Sequence, residues 1–439
     1  KPAGETEFFP ILANFGTDTQ EFHVGMGAVA VPGVVAGMFK VHRDLGHMPM
    51  SDVLQPAIEL ARHGVRIDAL HHYIVRILES ILRADQAVFS LFQSPSCPDE
   101  LIRDGEMLRN PALADTFQAL VDGGEELFYR GELAQRLARE AAEKGGHLTL
   151  QDLETYRVEL REPLEFHYRG ARCLINPPPS PGGCLIAFAM GLLAESLPGD
   201  AVWGEPGHVR ALVKAFRAAT RARAELGATC EASTLEALLT ENVLAHWSSE
   251  IQWHSLFSRG TTHISIADSK GNMASLTASN GEGNTHLLPG TGIILNNMLG
   301  EEDLNPAGFH HWRENSRLAS MMSPLIAECA DGSLLALGTG GSNRIRSAIV
   351  QVLVNILDFN LPLRAAVAAP RLHLEGRKLS IEAGYSMEVL QDLQPALTQL
   401  HTWPDINLFF GGVHSVRVSS EGVFEGGGDP RRDGAVAIA

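Results

Sequence analysis

The sequence predicts an α+β fold of stacked layers, with sheets packed together and helices outside them. Three observations predict it. The first half reads mostly helical, the hydrophobic period changes near Leu164, and from Thr261 on the chain is strand-rich around one strong helix. Helices and strands therefore come in blocks, which argues against the strict alternation of a doubly wound parallel sheet.

The helical block carries its own start and stop signals. "MSDVLQPAIELARHG" has Ser51 as a candidate N-cap, apolar Leu54, Ala57, Ile58 and Ala61 at helical spacing, and Gly64 as the stop. "NPALADTFQALVDGG" repeats the pattern from Asn110, "GELAQRLAREAAEKGG" runs from Gly131, and "LTLQDLETY" opens on Thr149 as a cap. The period then changes. "LEFHYRGARCLIN" reads as two short strands around Arg169-Gly170, and "PPPSPGG", Pro177 to Gly183, as a rigid loop leading into the helix "CLIAFAMGLLAE". "HVRALVKAFRAATRARAELG" is a further amphipathic helix, and residues 228–259 have weak periodicity and read as a surface run.

The strand-rich block opens on a hairpin, "TTHISIADSKGNMASLTAS". His263 to Ala267 alternates, with Ile264 and Ile266 on one face. Asp268 to Asn272 turns the chain and Met273 to Ala278 returns. "GIILNN" (Gly292 to Asn297) reads as a strand, and "LIAECADGSLLALGTGG" as a hairpin across Asp331-Gly332. After Gly340-Gly341 comes a helix that Ser342 is placed to cap, with Ile345, Ala348, Ile349, Val352, Leu353, Ile356 and Leu357 as one apolar stripe. One more helix is expected over Ser386 to Leu400.

Composition excludes some function classes. A net charge of −17, from 52 acidic and 35 basic residues, argues against non-specific nucleic-acid binding. With 45% hydrophobic and 20% charged residues the chain has an ordinary globular composition, and no apolar run is long enough to cross a bilayer. Cys97, Cys173, Cys184, Cys230 and Cys329 have long spacings and form no CxxC pair or Cys/His metal motif. They read as free thiols, which mildly favours a reducing compartment. His71-His72 and His310-His311 lack any HExxH context and read as surface or capping histidines. No metal or organic cofactor is called for. The chain begins "KPAGETEFFP", without initiator Met or signal-peptide pattern, and reads as a fragment; cytoplasm and periplasm both remain open.

Several separated blocks agree on a family. "GAVAVPGVVAG" (Gly27 to Gly37), "PPPSPGG", "TTHISIADSKGN", "GIILNN", "SMMSP" (Ser320 to Pro324), "GTGGSNRI", "AVAAPRLH" and "DPRRDGAVA" occur in that order. Together they resemble the γ-glutamyltranspeptidase family, of the N-terminal-nucleophile hydrolases. The resemblance implies a four-layer αββα sandwich. It implies a large-subunit-like, mostly helical segment over residues 1–260 and a small-subunit-like catalytic segment over residues 261–439, together one folded unit. The family's first segment, with an early Arg that grips the substrate carboxylate, has no counterpart in the chain as given.

The resemblance also implies that the Gly260–Thr261 bond is cut by the protein itself. The chemistry is coherent. A Thr hydroxyl is a weak nucleophile, and no Asp, Glu or Lys lies close in the strand to activate it. His263, on the same face two residues on, is the nearest titratable group. Cleavage would create an α-amine with a pKa of about 7.7–8.0, able to take the hydroxyl proton near neutral pH. Thr261 would then attack a γ-glutamyl amide, and water or an amino group would resolve the acyl-enzyme. Gly340 and Gly341 would offer backbone N–H groups to the oxyanion at a helix N-terminus. Ser279 falls on the family's Thr that bonds the nucleophile. Ser320 falls on a serine that contacts the substrate α-carboxylate.

Each of these residues also has a plainer reading. Threonines favour strands, Gly340-Gly341 suits any strand-to-helix turn, Ser279 any strand end, and "LGEEDL" a solvated acidic turn. The family pattern is altered at the substrate clamp. Gly281 replaces an Asn, Met298 replaces Gln or Glu, and Met321 replaces a second serine. The acidic residue that would hold the substrate α-amine falls near Glu301 and Glu302. The leading expectation is thus a self-processing Thr hydrolase or transferase for glutathione-like γ-glutamyl amides. A cephalosporin-acylase-like amidase with another acyl donor and a catalytically silent homologue are the alternatives. The expected partners are a small γ-glutamyl substrate and an amino acceptor or water, with the two segments remaining associated and a homo-oligomer left open.

Overall fold

The computed structural model describes residues 6–14, 19–226, 261–305, 308–312, 314–376, 378–393 and 399–438. Gly260, Cys230 and the weakly periodic run 228–259 lie outside the described residues. The chain forms two compact units, Lys1–Leu160 with Asn280–Glu302, and Arg161–Ser279 with Asp303–Ala439.

The first unit is helical. Helices α1 (Val34–Leu45), α2 (Met50–His63), α3 (Pro111–Tyr129), α4 (Glu132–Glu143) and α5 (Leu150–Thr155) follow a β-hairpin of β1 (Phe9–Asn14) and β2 (Thr19–Val24). Met26, Leu120, Phe128, Leu133, Leu137 and Leu153 are core residues of this unit. The caps behave largely as the sequence predicts. Asn110 accepts from the Leu113 amide, Thr149 makes a full capping box with Asp152, and Gly64 ends α2 at φ 101. Ser51 is not a cap. Helix α2 starts two residues earlier than a Ser51 cap implies, at Met50, with Pro49 in the cap position, so Ser51 lies in the first turn.

The second unit is layered. A six-stranded sheet has the order β13-β12-β8-β7-β4-β3, from β3 (Leu164–Tyr168), β4 (Ala171–Ile175), β7 (Leu325–Glu328), β8 (Leu334–Gly340), β12 (Gly412–Val418) and β13 (Phe424–Gly427). Helices α6 (Pro181–Ser196), α7 (Pro206–Leu226) and α8 (Arg344–Leu357) share a core with it. The hairpin of β5 (Thr261–Ala267) and β6 (Met273–Ser279) packs on the sheet over β8 and β12. Strand alternation separates the two sides. Leu335 and Leu337 enter the helix-side core, where each full burial is worth roughly 1.5–3 kcal/mol, while Gly338 and Gly340 face the hairpin. A smaller sheet joins β9 (Leu372–Glu375), β10 (Lys378–Glu382) and β11 (Gln399–Trp403).

Three other expectations are corrected here. Helix α8 begins at Arg344 with Asn343 in the cap position, and Ser342, at φ 49, belongs to the turn before it. The helix expected over Ser386 to Leu400 is described over Met387–Leu393, residues 394–398 lie outside the described residues, and residues 399–403 form β11, parallel to β10. That pairing is non-local, so helical periodicity could not reveal it. "GIILNN" contributes only the two-residue strand Ile293–Ile294, because its asparagines leave the strand to bond loop backbone.

Candidate active site

Thr261 is the first residue of β5 and stands directly opposite Ser279 in the hairpin register. Its Oγ1 donates to Ser279 Oγ at 3.1 Å. The Asp268 turn sets that register, since Asp268 Oδ1 accepts from the amides of Lys270 and Asn272.

The inward face of β5 is its polar one. His263 is buried, while Ile264 and Ile266 are exposed. The alternation is the predicted one, but its apolar side is not the side that packs on the six-stranded sheet. The polar side is tolerated because it is bonded. The His263 ring nitrogens meet Thr277 Oγ1 and Ser265 Oγ, each at 2.8 Å, and Ser265 Oγ donates to the His414 carbonyl at 3.2 Å. Burial, with His414 adding repulsion, pushes His263 down to about 3. A neutral imidazole with both nitrogens engaged is no base for Thr261.

Two glycines let the hairpin approach this closely. A Cβ on Gly338 would lie 2.4 Å from the His263 ring, and one on Gly340 would lie 2.2 Å from the Thr261 carbonyl oxygen. Gly340 therefore has a packing requirement that sequence reasoning missed. Gly341 continues the turn at φ 130, and the first helical amides fold back on it, Arg344 N to Gly341 O at 2.9 Å and Ile345 N to Ser342 O at 3.0 Å. Ser320 sits on the loop before β7. Its Oγ accepts from the Met322 amide at 3.0 Å, and its carbonyl accepts from Ser180 Oγ of the proline-rich loop at 2.6 Å. Since Leu325 pairs with Leu337, this loop arrives at the end of the sheet where β8 terminates in Gly340.

Glu301, Glu302, Gly281 and Met298 belong to the other unit. There Gly281, at φ 70, leaves room for neighbours that a Cβ would strike, at 2.0 Å from Asn297 Oδ1 and 2.8 Å from Glu301 Oε1. Glu301 is 5% exposed, so this part of "LGEEDL" is not a solvated turn; Glu302 is half-buried. Asn297 accepts from the Glu282 amide, and Asn296 bonds both the amide and the carbonyl of Ala30. The paired asparagines thus serve as backbone anchors, and Asn296 clasps the "AVPG" block. Tyr129 OH donates to the Pro32 carbonyl of the same block at 2.7 Å.

The gamma-glutamyltranspeptidase family model matches residues 5–439. The chain belongs to the gamma-glutamyltranspeptidase family. It is 30% identical over 390 residues to glutathione hydrolase 2 of Arabidopsis thaliana, covering 82% of this chain and 67% of that protein. It is also 30% identical over 440 residues to the acylase ACY 1 proenzyme of Pseudomonas sp. strain V22, covering 96% and 77% respectively. Among solved structures, a cephalosporin acylase from Bacillus halodurans matches at a TM-score of 0.77 and 25% identity, over 97% of this chain and 86% of that one. The fold is α+β, of the N-terminal-nucleophile hydrolase type. The chain is an enzyme of the γ-glutamyltranspeptidase, glutathione hydrolase or acylase class. No helix among the described residues is long and apolar enough to cross a membrane.

The buried histidines give a pH dependence with a definite sign. His263 and His208 are held near about 3 and about 4, chiefly by burial. The unfolded chain takes up these protons from about pH 6.5 downward, while the folded chain does not. Stability is therefore complete above pH 6.5 and is lost as pH falls toward 4. The expected loss at pH 5 is about 2 kcal/mol per histidine. Urea midpoints at pH 7 and pH 5 measure it, and His263→Gln should flatten the difference; an unchanged difference would refute the assignment.

Proposed function

We propose that this is a self-processing Thr hydrolase or transferase that cleaves γ-glutamyl amides through an acyl-enzyme on Thr261. Cleavage of Gly260–Thr261 frees the Thr261 α-amine, which takes the hydroxyl proton as Oγ1 attacks the acyl carbon. Ser279 fixes the hydroxyl. Amides at the Gly340-Gly341 turn, ahead of α8, receive the developing oxyanion, favoured by the helix N-terminus. The protonated amine then passes its proton to the departing amine. Water or an amino acceptor releases the γ-glutamyl group.

The observation that carries this reading is the Thr261–Ser279 hydrogen bond at the very start of β5, beside a histidine already fully bonded. Among the described residues no side-chain base is hydrogen-bonded to Thr261 Oγ1, which leaves its own amine. Residues up to 260 and from 261 act as the large and small segments, and remain associated because β4 of the first pairs with β7 of the second in one six-stranded sheet. In substrate binding, Ser320 takes the α-carboxylate.

An acylase with a different donor is the second reading. Gly281 and Met298 favour it, as does the similarity to the acylase ACY 1 proenzyme and to the cephalosporin acylase. Hydrolysis of γ-glutamyl-p-nitroanilide decides between the two. The γ-glutamyl reading expects turnover, with Ser320→Ala raising KM about tenfold or more at nearly unchanged kcat. A fully cleaved enzyme that releases no p-nitroaniline belongs to the acylase reading.

A further inference from the structure

We propose that Arg432 is a positioning residue for Thr261, holding its carbonyl and, through its charge, favouring the free-base form of the α-amine. The proposal rests on Thr261 being the nucleophile. Arg432 Nη1 donates to the Thr261 carbonyl at 3.2 Å, from 171 residues further along the chain. Its path runs over two glycines. A Cβ on Gly412 would lie 2.4 Å from Arg432 Cδ, and one on Gly340 would lie 3.0 Å from Nη1. These two residues pair directly across β8 and β12, so the sheet has a bare spot where the guanidinium reaches the hairpin.

The turn that carries Arg432 is fixed from behind. Asp429 Oδ1 accepts from the Arg431 amide at 2.9 Å, and its Oδ2 from the Val413 amide at 2.8 Å. Arg371 pairs with Asp429 at 2.6 Å and Arg431 with Glu382 at 2.5 Å, all four side chains being buried. Burial raises Asp429, but Arg371 and Arg431 outweigh it and hold the carboxyl below its ordinary range. The cluster fixes the turn from which Arg432 reaches the Thr261 carbonyl.

Among the described residues, the ionisable groups facing this end of β5 are few. β6 and β8 carry none. β12 brings His414, which burial lowers, and Arg417, which is paired with Asp331; β5 itself brings His263, and the C-terminal turn adds exposed Asp433. Both histidines are neutral near pH 7, so Arg432 supplies the nearest positive charge. A residue's nitrogen and carbonyl oxygen lie roughly 3–3.5 Å apart, which puts the guanidinium about 6 Å from the amine once the chain is cut. At that range it disfavours the ammonium by about one pH unit.

The test is the acid limb of kcat/KM in the processed enzyme, followed with γ-glutamyl-p-nitroanilide or whichever acyl p-nitroanilide it turns over. Arg432→Gln should move the limb up by about one pH unit and lower the pH 6 rate about tenfold, and Arg432→Lys should leave it in place. A glutamine limb that coincides with the wild type overturns the proposal. Should Arg432→Gln fail to fold, the wild type itself decides. Its limb should lie below the range of about 7.7–8.0 for a free α-amine, and a limb at 8 or above overturns the proposal. Failure of the underlying reading looks different: Thr261→Ala would then remain active.

Discussion

Thr261→Ala is expected to yield one uncut chain with no measurable turnover. On the proposed mechanism, the substitution removes the atom that attacks the Gly260 carbonyl and later carries the acyl group. It also empties the donor side of the bond to Ser279 Oγ, which costs about 1 kcal/mol and leaves the fold intact. Turnover should fall by at least about 10³-fold, the scale on which losing a nucleophile is felt. Thr261→Ser keeps the hydroxyl and should still cut itself. Both are read on a denaturing gel and with an acyl p-nitroanilide. A cut Thr261→Ala chain would remove this residue from the mechanism.

Gly340→Ala is the second large effect. The new methyl would meet the Thr261 carbonyl oxygen at 2.2 Å and Arg432 Nη1 at 3.0 Å. Gly340 is paired with Gly412 of β12, which limits how far this end of β8 can retreat. The hairpin must move instead. Overpacking of this kind costs about 1–3 kcal/mol, and a displaced nucleophile costs about 10²-fold in rate. Gly271→Ala is the matched control. Gly271 sits at φ 82 in the hairpin turn with open space around it, so alanine there brings backbone strain but no clash. Both variants should unfold earlier, and only Gly340→Ala should lose turnover. Equal rates for the two would mean that the close approach is unimportant for catalysis.

Much of this was legible in the sequence where the causes are local. The Asp268 turn, the Asn110 and Thr149 caps and the stripe on α8 each depend on residues a few positions apart. The family blocks pointed to Thr261, Ser279 and the Gly340-Gly341 turn together, and the fold brings Thr261, Ser279 and Gly340 into contact range. What was hidden depends on distant partners. The inward face of β5 could not be chosen from alternation, because Ile264 and Ile266 look like the core side until the bonds among His263, Thr277 and Ser265 are known. Gly340 reads as a flexible turn residue until the Thr261 carbonyl is seen against it. Arg432 stood in a quoted motif with no visible partner, since that partner lies 171 residues away. The parallel pairing of β10 with β11 was hidden for the same reason.

The central claim is that Thr261 becomes an N-terminus and acts from it. N-terminal sequencing of the shorter fragment of active protein tests this most directly. The predicted read is Thr-Thr-His-Ile-Ser, starting at Thr261, in every preparation that turns over substrate. An active preparation whose chain is intact across Gly260–Thr261, or cut at another bond, would contradict it.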